Sequence, residues 1–380
     1  MFYILPFMKI YNNFVQNAPF SPSVTLFGVK LSDPYGSAGV ANPFPPFAPV
    51  HPTANSTFGL PQQFQYFNPK WSLGHTNAFN FTIEQQLASD LVFRAAYVGT
   101  QGRNLQYFQE RNAALYGAGA TVSNTNARRP LAPNYASMME MTNDGVSNYH
   151  SVQLTVEKRF NSRFSILGNY TYSKSIDNQS VDNQFTVSNP NPNDPHFNYG
   201  RSDFDTPHNL SSSGVWTLPQ LNSHNRLLRA AVGGWQVAGS LAWRSGTPFN
   251  VISGQDRSLS GIGLDRADLV GDPVIHNGQS RTAMISHYFN TSAFALNSLG
   301  TFGNSPRNLM RSVRVFNLDS SVEKTFGEQH KISVRGDFFN TFNNVHLNGP
   351  GLNVSSASTF GAITSAGDPR ILQVAARYRF

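Results

Sequence analysis

The feature that most constrains this chain is a two-residue alternation that recurs along it and runs to its last position. In residues 371–380, Leu372, Val374, Ala376, Tyr378 and Phe380 fall on one side of an extended strand, and Gln373, Ala375, Arg377 and Arg379 fall on the other. Successive strand side chains point to opposite faces, so one face is apolar and aromatic while the other carries two arginines. A strand of about 10 residues with that period has the length needed to cross a bilayer at a tilt. A strand that ends on an aromatic residue is tied down rather than frayed.

The same pattern recurs upstream. Phe79, Phe81, Ile83 and Leu87 share a face against Asn80, Thr82, Glu84 and Gln86, and a tight turn at Ala88-Ser89-Asp90 leads into a second strand over 91–98. Val152, Leu154, Val156 and Phe160 alternate with Ser151, Gln153, Thr155 and Glu157. After Asn161-Ser162-Arg163 the series resumes with Phe164, Ile166, Gly168, Tyr170 and Tyr172. Phe160 and Phe164 flank that turn, where a membrane-interface girdle requires rings. A later hairpin sets Phe316, Leu318, Val322 and Phe326 against Asn317, Asp319, Ser321 and Glu323. It turns at Gly327-Glu328-Gln329 into Ile332, Val334, Gly336 and Phe338. Lys158 and Lys324 fall on the apolar face beside these turns, where a long stem can lie along lipid and lift its ammonium to the headgroups. Two shorter strands, 208–218 and 234–244, lie between the hairpins, with Trp235, Val237, Leu241 and Trp243 on one face of the second.

Loop lengths order these strands. The connections near 88–90, 160–164 and 327–330 are short and that near 219–233 is moderate, whereas those near 101–148, 174–206, 245–312 and 343–370 are long. Short and long alternate, as in an outer-membrane barrel with short periplasmic turns and long extracellular loops. Structureless loops of such length argue against a compact soluble domain. The expected fold is therefore all-β, an antiparallel transmembrane β-barrel with about ten strands present. Residues 1–71, rich in Pro, Phe, Asn and Gly, are expected to form a loop-rich segment with at most one strand, near 2–8, because proline cannot donate to a ladder. Residues 72–380 are expected to form one incomplete barrel portion.

Composition agrees. Charged residues make up 13% of the 380 residues, against about 25% in ordinary soluble domains, while aromatics also make up 13% and there are 38 asparagines. Net charge is +7 with Lys and Arg scattered, so nucleic acid is not an expected partner. The absence of cysteine removes thiol nucleophiles and thiolate metal sites, and no apolar run reaches the length of a helical membrane span. Residues 1–9 carry no basic segment ahead of their apolar stretch and so make a poor export leader. The chain is accordingly expected to be the C-terminal part of something longer.

No nucleophile elbow, HExxH, Walker or GxGxxG motif is present, so neither catalysis nor a cofactor is expected. His196, Asp203, Asp205 and His208 could form a metal or acid–base cluster. The alternative is that the two aspartates bond loop backbone and His208 sits at a strand entrance. Asp268 and Asp272 read as loop-folding turns rather than a calcium site. Glu157, Arg335, Asp337, Arg377 and Arg379 are candidate lumen-facing charges, able to orient a solute or to pair with one another across strands.

Several segments in order carry a family resemblance: 99–105 (GTQGRNL), 201–210 (RSDFDTPHNL), 243–249 (WRSGTPF), 300–304 (GTFGN) with Arg307-Asn308, 316–321 (FNLDSS), 338–343 (FFNTFN) and the terminal Tyr378-Arg379-Phe380. This series resembles the barrel of Oar-like TonB-dependent transporters over most of residues 72–380. The resemblance implies a 22-strand outer-membrane barrel with a plug and a TonB-contacting segment, moving a solute that the motifs do not identify. Partners implied are outer-membrane lipid, the barrel-assembly machinery and, through an N-terminal part not represented here, TonB. It also implies that Leu372, Val374, Ala376, Tyr378 and Phe380 form the C-terminal assembly signal. The alternative expectation is a self-contained small outer-membrane barrel acting as a passive pore or a surface-binding protein.

Overall fold

The computed structural model describes residues 2–4, 17, 25–39, 53, 55, 59–161, 163–180, 189–219, 232–327 and 331–380. Phe160's side chain and the turn residues 162 and 328–330 lie outside the described residues, as do the proline-rich stretch at 42–49 and residues 5–8 of the strand expected near 2–8. In chain order the strands are β1 (Phe2–Ile4), β2 (Gln62–Phe67), β3 (Gly74–Ala88), β4 (Leu91–Glu110), β5 (Tyr135–Asn161), β6 (Phe164–Asp177), β7 (Gly200–Arg201) and β8 (His208–Thr217). They continue with β9 (Trp235–Arg244), β10 (Pro248–Phe249), β11 (Asp268–Leu269), β12 (Phe294–Ala295), β13 (Met310–Arg311), β14 (Val315–Phe326), β15 (Lys331–Phe339) and β16 (Ile371–Arg379). Among the described residues there are also two short α-helices, α1 (Pro34–Ser37) and α2 (Arg281–Ser286), and two 3-10 turns, Asn126–Arg128 and Thr291–Ala293.

One antiparallel sheet dominates, in the order β1-β3-β4-β5-β6-β8-β9-β14-β15-β16, with β2 and β7 attached beside it. Ten strands on this path match the expected number. Two differences from the expected barrel stand out. The sheet is open, and among the described residues β1 and β16 do not meet. Closure needs two edges of matching length and register; β1 covers only Gly74–Thr76 of β3, so the edge at this end is mostly residues 77–88 of β3, and among the described residues it does not pair with the nine-residue edge of β16. Residues 2–67 also hold two strands rather than at most one, and β2 runs parallel to β5.

Register assigns each wall side chain to a face, because directly paired residues point the same way. Phe164, Trp216, Val237, Val322, Gly336 and Val374 form one continuous row on the apolar face. Thr217, Gln236, Glu323, Arg335 and Ala375 form a row on the opposite, polar face. The apolar face is not covered by protein: Phe81 is 66% exposed and Val374 72%. Aromatic residues gather at both ends of it, with Trp216, Trp235, Phe326 and Tyr378 toward the short turns and Tyr97, Tyr172, Trp243 and Phe316 toward the long loops. Trp235 and Trp243 stand eight residues apart on β9. That is roughly 26 Å along the strand at ~3.3 Å per residue, or about 20 Å of depth at the ~40° tilt of barrel strands, which fits within the ~25 Å apolar band of a membrane barrel.

The two lysines beside the turns lie where expected but are held differently. Lys158 Nζ pairs with Asp90. Lys324 is buried, donates to the Gly233 carbonyl and lies 5.2 Å and 5.4 Å from the ring centroids of Trp235 and Phe326. Both ammoniums are tied to the turns themselves, which satisfies the charge within the protein.

The long connections are not structureless, contrary to expectation. β4 and β5 run past the wall as a paired arm. Their ladder slips between Gly102 and Tyr107, where Asn104 takes φ +52 and a Cβ on Gly145 would lie 2.6 Å from the Leu105 carbonyl oxygen. Beyond this bulge, which re-aims the side chains, Tyr107, Phe108 and Met141 are buried. The hydrophobic core of the molecule lies in the loops, where Val251, Ala267, Phe289, Ala293 and Phe294 pack with Phe249, Leu269, Tyr288 and Phe360. Phe289 meets Phe360 edge-on at 5.3 Å and Phe294 at 5.5 Å. The β10–β13 and β11–β12 pairs brace this cap.

On the apolar face the Phe79 ring lies over Gly99, where a Cβ would come within 2.2 Å of it, an arrangement that shields exposed glycine backbone in a strand. Gly99→Ala is expected to destabilise the refolded protein by about 1–3 kcal/mol through overpacking, and to do so far less in a Phe79→Ala background. Urea unfolding in detergent checks this; strictly additive costs would show that the ring and the glycine do not meet.

Candidate functional site

The polar face of the wall curves around a hollow of about 680 Å³, lined by Glu157, Ser213, Ser240, Asp319, Arg335 and Asp337 among others. The strand period places these residues here, with each second residue of β5, β8, β9, β14 and β15 pointing inward. Arg335 pairs with Asp337 two residues along its own strand at 2.8 Å, and more loosely with Glu323 across the ladder at 3.8 Å. Glu157 meets Arg159 at 3.3 Å, and Arg94 meets Glu84, its direct opposite on β3, at 2.5 Å. These side chains are largely hydrated, so each pair contributes little stability, about 0–1 kcal/mol.

Of the five charges singled out from the sequence, Glu157, Arg335 and Asp337 line the hollow. Arg377 and Arg379 share their face farther along the sheet, opposite Ser333 and Lys331. The Arg379–Lys331 juxtaposition of like charges is disfavoured in a ladder, and among the described residues neither arginine has an ion pair. Leu372, Val374, Ala376 and Tyr378 lie on the apolar face opposite Phe338, Gly336, Val334 and Ile332. Phe380 is 98% exposed, its ring 6.0 Å from Tyr378.

The four-residue cluster is taken apart. His208 turns to the apolar face, where its Nδ1 lies 2.7 Å from the Tyr170 hydroxyl and its ring packs on Tyr172 and Trp243. Asp205 accepts from the Ser175 amide at 2.7 Å and pairs with Arg311. Asp203 accepts from Arg307 and from the Asn308 side chain at 3.1 Å and 2.7 Å. The His196 backbone N–H donates to Asp194. Backbone bonding thus holds for Asp205, whereas Asp203 is claimed by side chains from a different loop. Asp272 does fold a turn, accepting from the Val274 amide two residues on, and His276 beside it lowers that carboxyl below its ordinary range; Asp268 instead lies in β11 and accepts from the Asn304 amide of a distant loop. Among the described residues no group of three His, Asp or Glu side chains is placed to hold a metal.

Sequence reasoning missed the role of Arg307. Its guanidinium donates to the Asp177 carboxylate at 2.5 Å, the Asp177 and Asn198 carbonyls, Ser180 Oγ and Asp203, joining the end of β6 to two long loops. The guanidinium and the Asp177 carboxylate are both nearly fully buried, at 4% and 6% exposure. Arg307 thereby ties the cap to the end of β6.

Breaking a buried pair strands its partner and costs about 3–5 kcal/mol. Arg307→Ala is expected to raise amide exchange throughout residues 189–207 and 300–311 while the 152–158 and 166–172 ladders keep their protection. Equal loss in both regions would show that cap and wall unfold as one unit.

A profile of the outer membrane beta barrel domain family matches residues 1–373. No curated protein matches the chain. Among solved structures, the outer membrane transporter YddB from Escherichia coli is similar with a TM-score of 0.42 and 14% identity over 82% of this chain and 33% of that one. The pyoverdine receptor FpvA from Pseudomonas aeruginosa gives 0.40 and 13% over 82% and 30%, and the ferric-catecholate import receptor Fiu from E. coli gives 0.39 and 12% over 82% and 29%. The chain spans about a third of the length of these structures. With a period-two wall, an uncovered apolar face and a matching family profile over nearly its whole length, the chain belongs to the outer membrane beta barrel domain family and resides in the outer membrane.

Proposed function

We propose that this chain forms wall and surface loops of an Oar-like TonB-dependent transporter, taking up a solute too large for passive pores. The observation that carries this reading is one sheet with an uncovered apolar face and a charged hollow on its polar face, whose long connections fold into a packed cap. The seven ordered sequence segments support the same family. In this reading Glu157, Arg335, Asp337, Arg377 and Arg379 face the lumen and guide the solute. β1 and β16 pair with further strands in a closed wall of about 22, and TonB is engaged by segments outside this sheet. The terminal row Leu372, Val374, Ala376, Tyr378 and Phe380 serves as the strand that the barrel-assembly machinery reads. The folded cap favours one second reading, a surface-binding barrel that works through its loops.

Refolding the chain in detergent separates the two. A heat-modifiable, closed single-chain barrel would overturn the larger-wall reading and favour the small surface-binding barrel. Phe380→Asp is expected to lower the amount of protein in the outer membrane several-fold by immunoblot of fractionated cells, and unchanged levels would remove the assembly role. The orientation of the wall has its own check. Leu154→Arg, on the apolar face, is expected to cost about 2–4 kcal/mol in lipid, while Gln153→Arg, its neighbour on the polar face, is expected to stay within about 0.5 kcal/mol. Urea unfolding in vesicles reads both.

A further inference from the structure

Arg266 stands apart from the other buried cations of the cap. Its side chain is 4% exposed, Nη2 donates to the Phe197 carbonyl at 2.7 Å, and the guanidinium carbon sits 4.1 Å over the Phe197 ring. Nε and Nη1 are buried with no acceptor. A guanidinium has five N–H groups, and the three on Nε and Nη1 are unclaimed. Arg307 and Arg311 have carboxylate partners in Asp177, Asp203 and Asp205; Arg266 has none among the described residues. Its sequence neighbour Asp265 does not pair with it: Oδ2 accepts from the Ser258 amide and the Asn297 side chain, and Oδ1 is buried with no partner.

The setting is short of negative charge. Burial, together with the charge of nearby Arg307, pushes the Arg266 guanidinium down to about 10. The strip that wraps Arg266 brings one more donor: the Phe302 carbonyl accepts from the Arg266 amide, the Ser305 amide donates to the Ala267 carbonyl, and the buried Ser305 hydroxyl has no partner. A buried guanidinium with unused donors is costly unless something acidic meets it. Arg is the side chain best suited to oxyanions.

We propose that the cap holds a resident small oxyanion, of the phosphate or sulfate class, at Arg266 Nε and Nη1, locking the 262–268 segment against the 300–307 strip. The site is distinct from the hollow and does not depend on what the transporter carries.

The test uses the full chain refolded in detergent, with amide exchange of residues 262–268 and 300–307 followed in sodium phosphate and in sodium chloride at equal ionic strength. Phosphate is expected to slow exchange there at least fivefold relative to chloride. Arg266→Met, an apolar side chain of similar reach, is expected to abolish the difference between salts, and Arg266→Lys to retain part of it. No difference between phosphate and chloride in the unmodified chain would overturn the proposal, as would an undiminished difference in Arg266→Met. The comparison within the unmodified chain stands even if a variant fails to refold.

Discussion

The backbone hydrogen-bond ladder is the interaction on which the rest of this structure depends. Inside a bilayer no water is present to satisfy N–H and C=O groups, and each unsatisfied group costs several kcal/mol. The wall therefore consists of long antiparallel strands in continuous register from β3 to β16, interrupted only by bulges that lie near the turns or above the aromatic band. Everything else follows from that ladder. It sets the alternation that separates Phe81, Val152 and Val374 on the apolar face from Glu157, Ser213 and Arg335 on the polar one, and among the described residues it leaves two long edges, that of β16 and that of β3 over residues 77–88, whose backbone groups a further strand would satisfy.

Because the wall has no interior of its own, hydrophobic packing is displaced. A sheet one layer thick buries its apolar face in lipid, so the tightly packed core assembles where the chain meets water, in the cap. Phe289, Phe294, Phe360 and Val251 form that core. Buried arginines on carboxylates of other loops hold it to the wall, with Arg307 on Asp177 and Arg311 on Asp205. Such pairs gain their strength from the same low dielectric that makes an unpartnered charge costly, and Arg266 therefore differs from them so clearly.

The wall was legible in the sequence because its period is local. Two residues per repeat, a polar turn and the next strand can be read from short stretches of chain, and β8, β9, β14, β15 and β16 lie within a residue or two of where alternation put them, while β6 runs about four residues into the expected loop. The cap was not legible, since its loops lack periodicity and fold through contacts between residues more than a hundred positions apart, as between Arg307 and Asp177. For the same reason His196, Asp203, Asp205 and His208 looked like one cluster. Their closeness along the chain is real, but an exit onto the apolar face sends His208 one way and two arginines from another loop draw the aspartates the other.

The sequence by itself determined the all-β wall, the sidedness of each strand, the split between short turns and long loops, and the inward placement of Glu157, Arg335 and Asp337. Only the tertiary structure decided that the long loops form a packed cap, that Lys158 and Lys324 fold back onto their turns, and which carboxylate each buried arginine meets. The physical reason is range. Strand sidedness follows from the geometry of adjacent peptides, whereas burial of a charge is settled by whatever surfaces the whole chain brings together around it.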